Sequence, residues 1–74
     1  KRFLNSAAWL KLRAYKLAQT PWCELCAKTK PISVPATDVD HILPRHSHPQ
    51  LKLVFVNLQS LCKECHGEKT RRGE

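Results

Sequence analysis

The sequence lacks the long apolar runs, internal repeats and low-complexity tracts of membrane, solenoid and disordered proteins. None of its apolar stretches approaches the ~20 residues that a membrane-spanning helix requires. It also lacks a basic segment followed by an apolar one, the mark of a secretory signal, so we predict a cytoplasmic location and no membrane partner. With only two Trp, two Phe and one Tyr, a single domain over residues 1–74 has little material for a core and needs another source of stability.

Acidic residues are scarce as well. The chain has 13 Lys and Arg against 6 Asp and Glu, a formal net charge of +7. Four thiolates and one bound divalent cation would lower this charge by two, so a basic excess would remain. The balance predicts a polyanionic partner, although a solvated basic surface would have the same composition.

The four cysteines form two C-x-x-C motifs, Cys23–Cys26 and Cys62–Cys65, with 35 residues between them. In a cytosolic protein, paired cysteines favour a metal over disulfides, and this spacing suits tetrahedral Zn²⁺ bound by four thiolates. A redox C-x-x-C would be expected in a βαβ pattern, which the sequence does not have. We therefore predict a structural zinc site, with disulfides or free thiols as the alternative. Four protein ligands leave no open position for catalysis at that ion.

The order of predicted elements is typical of a small α+β fold. Ser6 is a predicted N-cap for an amphipathic helix over residues 7–19, with Trp9 in the core. Residues 20–37 are predicted as loop, residues 38–43 and 51–61 as β-type sequence, and the chain from Cys62 onward as helix. The apolar residues of the first helix are expected on two neighbouring faces, one with Ala8, Leu12 and Tyr15 and the other with Leu10, Ala14, Leu17 and Ala18. Its basic residues are expected in solvent, and these are Lys11, Arg13 and Lys16.

The stretch DVDHILP, residues 38–44, places Asp40 and His41 side by side in an otherwise apolar strand. His66 follows Cys65 directly, and consecutive helical residues differ by about 100° around the axis. One helix could therefore direct thiolates to zinc and an imidazole to a second site. Asp40 and His66 would offer oxygen and nitrogen ligands to a divalent cation there, which leaves His41 to accept a proton. Because successive strand residues face opposite sides, we expect the strand to twist or end at residues 40–42.

These residues, together with NLQSLC at 57–62 and Lys69-Thr70 after His66, resemble the HNH endonucleases of phage and restriction systems. The resemblance covers nearly the whole chain and implies a ββα-metal fold with an N-terminal helix and a four-cysteine zinc site. It implies a prokaryotic or phage-encoded enzyme that hydrolyses DNA. By the same resemblance, His41 is the general base, Asp40 and His66 bind Mg²⁺ or another divalent cation such as Mn²⁺, and Asn57 holds the loop between the strands.

Other features point less specifically to function. One catalytic centre and no heptad pattern predict a monomer that nicks one strand per event. The predicted contacts to the phosphate backbone of DNA, each of which could equally be a solvated charge, are Arg45, Lys69, Arg71 and Arg72. His46 and His48 are interpreted as solvated loop residues, with further metal ligands or phosphate contacts as the alternative.

Two alternatives from other functional classes explain less of the sequence. A zinc-containing nucleic-acid-binding module without catalysis explains the cysteines and the charge. It leaves the combination of Asp40, His41, Asn57 and His66 unexplained. A zinc-dependent protein-interaction module leaves the basic excess unexplained as well.

Overall fold

The first helix forms where its capping signal predicts it. In the computed structural model, which describes residues 3–72, helix α1 runs from Ala7 to Gln19. The Ser6 hydroxyl accepts a hydrogen bond from the backbone N–H of Trp9 at 3.2 Å, so it satisfies one of the free donors of the first turn. A short 3₁₀ turn, Phe3–Asn5, precedes the helix.

The buried face of α1 differs from the predicted one. Trp9 and Lys16 are buried, and Leu12 lies on the same side, whereas Leu10 and Tyr15 are about half exposed. The prediction that Lys16 faces solvent is wrong. Its ammonium group lies 3.0 Å from Glu24 and over the ring of Phe55, so an ion pair and an aromatic face compensate for its burial.

The segment between α1 and the first strand is not all loop. Helix α2 runs from Glu24 to Thr29, and the Cys23 sulfur caps it by accepting the backbone N–H of Cys26 at 3.4 Å. A cysteine cap is not among the usual capping signals, which is why the proline-rich composition suggested only irregular structure.

Two short antiparallel strands form the sheet. Strand β1 comprises Asp38–His41 and strand β2 comprises Leu58–Leu61, with Asp40 opposite Gln59 and His41 opposite Leu58. Side chains alternate along β1, so Val39 and His41 are buried while Asp38 and Asp40 are partly exposed on the other face. Val39 packs with Trp9 and Leu58 in a core between α1 and the sheet. The strand ends at His41, as the sequence predicts.

The prediction of β-type structure at residues 51–56 is wrong. The connection contains two 3₁₀ turns, Pro49–Leu51 and Phe55–Asn57, and Val56 is 82% exposed. The pattern of apolar residues resembles a strand, but β1 pairs with residues 58–61. An extended segment without a partner would leave its backbone hydrogen-bonding groups unpaired, and the turns avoid this.

The third helix, α3, runs from Lys63 to Arg71 directly after Cys62. Together, the two strands and three α-helices found within residues 3–72 confirm the predicted α+β class. None of the helices within residues 3–72 is long and apolar enough to cross a membrane. The predicted single domain covers residues 1–74, of which 1–2 and 73–74 lie outside the described part of the chain.

Candidate active site and metal centres

The four cysteine sulfurs converge between α2 and the start of α3. All four atoms lie within 4.8 Å of one another. The sulfur of Cys26 is 3.8 Å from that of Cys62 and 3.6 Å from that of Cys65. Four sulfurs bound tetrahedrally to Zn²⁺ at ~2.3 Å stand ~3.8 Å apart, so the donor set and its spacing fit such an ion. The cluster could therefore hold a metal such as zinc.

The thiols of this cluster differ in acidity. Burial raises the pKa of Cys23, but hydrogen bonds from the backbone of Cys26 and Cys62 outweigh it and lower the value to about 7. Burial raises the pKa values of Cys26 and Cys65, and hydrogen bonding to neighbouring sulfurs of the cluster contributes to both increases. Without a cation, the cluster thus favours ionisation of one thiol and disfavours ionisation of the others. A divalent ion removes that limit, because metal binding displaces the protons from its thiol ligands.

Glu24 connects the cysteine cluster to the rest of the fold. Its carboxylate accepts the backbone N–H of Ser60 in β2 at 2.7 Å and pairs with Lys16 of α1 at 3.0 Å. The residue between the first two cysteines therefore bonds both to the sheet and to the first helix. Any loosening of the cluster would be transmitted to both elements.

A second group of candidate ligands lies where α3 crosses β1. The Nε2 atom of His66 is 3.6 Å from Oδ1 of Asp40. Two ligand atoms that each lie ~2.1 Å from one ion can be no more than ~4.2 Å apart, so this pair can bind a common cation. Helix α3 thus directs Cys65 toward the sulfur cluster and His66 toward the sheet, the arrangement that the sequence predicts.

Asp38 is a site residue that the sequence analysis missed. Its Oδ2 atom lies 2.8 Å from Nδ1 of His66. That hydrogen bond, with a further one from the Thr37 hydroxyl, holds the pKa of Asp38 below its usual value. An ionised carboxylate can only accept, so Nδ1 of His66 donates to Asp38, and in the neutral ring the lone pair of Nε2 lies on the side of Asp40. The signal was available, because residues 38 and 40 lie on the same face of a strand.

Lys69, which the sequence predicts as a phosphate contact, is buried beside Asp40. Its side chain is buried, with Nζ 2.7 Å from Oδ2 of Asp40 and 3.0 Å from the backbone oxygen of His41. Lys69 is three residues after His66, so both side chains project from the same face of α3 toward β1. Lys69 therefore neutralises one oxygen of Asp40, while the other oxygen faces His66.

His41 lies on the opposite face of β1 from Asp40. Its ring stacks on Trp9, with 4.9 Å between ring centroids and 20° between ring planes. Its Nε2 atom is 2.9 Å from the backbone oxygen of Lys52. A carbonyl oxygen only accepts hydrogen bonds, so Nε2 carries the proton in the neutral ring and Nδ1 keeps its lone pair. The structure thus joins Asp40 to His66, while the ring of His41 packs against Trp9 of α1.

Asn57 closes the loop between the two strands. Its side-chain amide donates to the backbone oxygens of Leu43 and Leu51 at 3.1 and 3.3 Å and accepts the N–H of Leu43 at 2.9 Å. The backbone oxygen of Asn57 also accepts the N–H of Ile42 at 2.7 Å. The side chain is therefore hydrogen-bonded at both its nitrogen and its oxygen in a buried position, as a residue that holds this loop must be. Its contribution to catalysis stays a prediction.

The other predicted nucleic-acid contacts are more dispersed. Arg45 lies over the ring of Phe3 at 5.2 Å, and Arg71 pairs with Glu68 at 3.1 Å. Arg72 is exposed just after α3. His46 is exposed, and His48 lies 2.9 Å from the hydroxyl of its neighbour Ser47. The roles of these five residues, Arg45, Arg71, Arg72, His46 and His48, stay predictions.

Comparison with known proteins identifies the class to which this fold and site belong. Residues 23–72 match the family model of the HNH endonucleases. That match covers more than half of the chain, so the protein belongs to the HNH endonuclease family and is an enzyme, a nuclease that acts as a hydrolase. The predicted family is confirmed.

A solved structure agrees over almost the whole chain. The protein is similar to the HNH endonuclease of the deep-sea thermophilic bacteriophage GVE2, determined with a manganese ion. The two are 37% identical with a TM-score of 0.88, and the match covers 97% of this chain and 78% of the phage protein. No curated protein sequence matches the chain significantly.

Proposed function

We propose that this protein is a divalent-cation-dependent DNA endonuclease in which Asp40 and His66 bind the catalytic cation and His41 is the general base. The observation that carries the proposal is the Asp38–His66–Asp40 arrangement. A carboxylate at 2.8 Å from Nδ1 orients the imidazole, and Nε2 is then directed at a second carboxylate 3.6 Å away. An outer carboxylate that fixes the tautomer of a histidine ligand is a recurring feature of metal sites.

The proposed reaction is attack of water on a phosphodiester. Nδ1 of His41 accepts a proton from the water as the water oxygen forms a new bond to phosphorus. The bond to the leaving oxygen breaks, and that oxygen takes the bonding electron pair and then a proton from solvent. The bound cation supplies charge neutralisation at the phosphate. Lys69 keeps the Asp40 carboxylate in place through its 2.7 Å contact. Asn57 holds the loop that carries the Lys52 carbonyl, and through it the tautomer of His41.

The proposed partner is DNA, bound mainly through its phosphates. The formal net charge of +7 supports a polyanionic partner, and HNH endonucleases as a family act on DNA. The related phage enzyme was determined with manganese, which is an oxygen- and nitrogen-binding divalent ion like the one proposed here. Zn²⁺ in the cysteine cluster is proposed to be structural, because its four ligands leave no position for substrate.

Substitution of a catalytic ligand is expected to weaken cation binding without disturbing the zinc cluster. Asp40→Asn keeps the shape of the side chain and removes its charge, so the affinity for Mn²⁺ should fall by ~10-fold or more. His66→Ala should have a similar effect. Titration with Mn²⁺, followed by electron paramagnetic resonance, measures this affinity, and elemental analysis measures zinc.

Glu68→Gln is the matched control for these two variants. Its carboxylate lies on the same helix as His66 and pairs with Arg71 on the surface, so its loss should leave Mn²⁺ affinity unchanged. Wild-type Mn²⁺ affinity in both Asp40→Asn and His66→Ala would contradict the proposed site.

A single catalytic centre per chain predicts nicking. Each event breaks one phosphodiester bond, and the opposite strand has reversed polarity, so a second cut in the same encounter needs a second chain related by two-fold symmetry. On supercoiled plasmid with Mg²⁺ or Mn²⁺, open circles should accumulate first and linear DNA should follow late. The same reaction in EDTA is the control. Linear product at the earliest time points, together with a dimer in sedimentation, would contradict the nicking monomer, and absence of cleavage with any divalent cation would contradict the proposed function.

A further inference from the structure

Trp9 has a position that its role in the core does not explain by itself. It lies in α1, outside residues 23–72 that match the family model. Its ring is 4% exposed and packs with Val39 and Leu58, as a core residue would. The same ring also stacks almost parallel on the imidazole of His41, at 4.9 Å and 20°. His41, which is only 8% exposed, thus has an aromatic ring stacked on its imidazole.

A general base needs a fixed direction as well as a fixed tautomer. The hydrogen bond from Nε2 of His41 to the Lys52 oxygen, 2.9 Å long, sets the tautomer and anchors one ring atom. The ring is held at Cγ by its bond to Cβ and at Nε2 by this contact. It can still rotate about the line that joins these two points, and that rotation moves Nδ1. Contact with a flat partner across the ring face removes that freedom. The Trp9 ring supplies such a plane, and Phe3 supports it from the side at 5.3 Å.

We infer that Trp9 is a positioning residue for His41, and that helix α1 affects catalysis through this residue. The inference rests on the proposed role of His41 as general base. Two contacts then fix the imidazole, the loop carbonyl of Lys52 at Nε2 and the indole of Trp9 across the ring face. Together, these two contacts determine the direction in which the lone pair of Nδ1 points.

The geometry of a reacting group strongly affects rate, because a misplacement of about 1 Å can cost about 100-fold. Removal of the indole should therefore slow the chemical step and leave DNA binding unaffected. A residue that only filled the core would lower stability and leave the rate of the folded protein unchanged. The two roles thus predict different kinetic results for the same substitution.

The test compares Trp9→Leu, which fills part of the volume without a flat ring, with Trp9→Phe, which keeps an aromatic plane. Trp9→Leu should lower the single-turnover rate at saturating DNA by about 10-fold to 100-fold. Its half-saturating DNA concentration and zinc content should stay at the wild-type values. Trp9→Phe should recover most of the rate. All rates are measured at a temperature where circular dichroism shows each variant folded.

Leu17→Ala is the matched control, because Leu17 packs against the same core cluster from the far end of α1. It should lower the melting temperature and leave the single-turnover rate of the folded protein unchanged. Wild-type rate in folded Trp9→Leu would overturn the inference. An equal loss of rate in Leu17→Ala would also overturn it, since the effect would then be one of stability.

Nuclear magnetic resonance provides a test that does not depend on the folding of a variant. The ring current of a stacked indole shifts the ring protons of His41 upfield in the wild-type protein, and ordinary shifts for those protons would overturn the inference. His41→Ala, assayed in parallel, distinguishes a failure of the proposed function from a failure of the role of Trp9. Wild-type cleavage by His41→Ala contradicts the proposed function itself. Loss of cleavage in His41→Ala with a wild-type rate in Trp9→Leu contradicts only the role of Trp9.

Discussion

Replacement of His41 by alanine is expected to lower the rate of DNA cleavage by ~100-fold or more, the usual scale for loss of a general base. The variant should retain its zinc and its affinity for DNA. In the hydrogen bonds and ring contacts described for residues 3–72, the side chain of His41 contacts neither the cysteine cluster nor α3. Plasmid cleavage under single-turnover conditions measures the rate. Elemental analysis and a filter-binding assay measure the two quantities that should not change.

His41 is buried, so its loss also removes packing and leaves the Lys52 carbonyl without its donor. His41→Gln addresses this, because an amide can donate to that carbonyl and cannot act as a base at neutral pH. Both variants should be similarly slow, although Gln should be the more stable. His46→Ala, a change of an exposed histidine in the same loop, should cut at the wild-type rate. Cleavage by His41→Gln at the rate of the His46 variant would contradict the assignment of the base.

Removal of zinc is expected to unfold the protein. Structural zinc sites in small domains contribute an apparent ~10–16 kcal/mol near pH 7, which is as large as the whole stability of a typical domain, ~5–15 kcal/mol. Three of the four cysteines are also among the buried residues of one of the two core clusters, so that cluster depends directly on the proposed metal site. Chelation should abolish the cooperative thermal transition in circular dichroism, and Cys62→Ala should prevent it from forming. Cleavage should be lost in both cases, because α3 carries His66 as well as Cys65.

The control for zinc removal is selective restoration. Added Zn²⁺ should return the transition to the chelated wild type, whereas Mg²⁺ alone should not, because Mg²⁺ prefers oxygen ligands. Cys62→Ala should fail to recover with either ion. An unchanged melting temperature after chelation, with zinc shown to be absent by elemental analysis, would contradict a structural role for the metal.

Much of the fold was predictable because its signals are local. Ser6 caps the helix that follows it, and the alternation along residues 38–41 specifies a strand with two different faces. The position of His66 after Cys65 already implies that one helix serves two sites. The predictions failed where the same local sequence is compatible with more than one backbone structure. The apolar run at 51–56 suits a strand, but β1 pairs with residues 58–61, and the run forms turns.

The candidate site was predictable in its residue types and incomplete in its contacts. Asp40, Asn57 and His66 have side chains whose chemistry suggests a role whatever surrounds them. Asp38 and Lys69 each contact a partner 28 residues away in the chain. Asp38 contacts the His66 ring, and Lys69 contacts the backbone of His41. A lysine in a basic helix is normally solvated, so it is the contacts with Asp40 and the His41 backbone that distinguish Lys69 from its neighbours.

The sequence by itself determined the donor groups: four cysteine sulfurs in two closely spaced pairs, a carboxylate beside an imidazole, and a second imidazole next to a cysteine. Spacing of this kind is a local property, since residues a few positions apart have restricted relative directions in a helix or strand. Tertiary structure alone decided which face of α1 is buried, which carboxylate orients His66, and which ring stacks on His41. Those contacts depend on how separate elements pack, because packing brings together residues whose separation along the chain carries no geometric information.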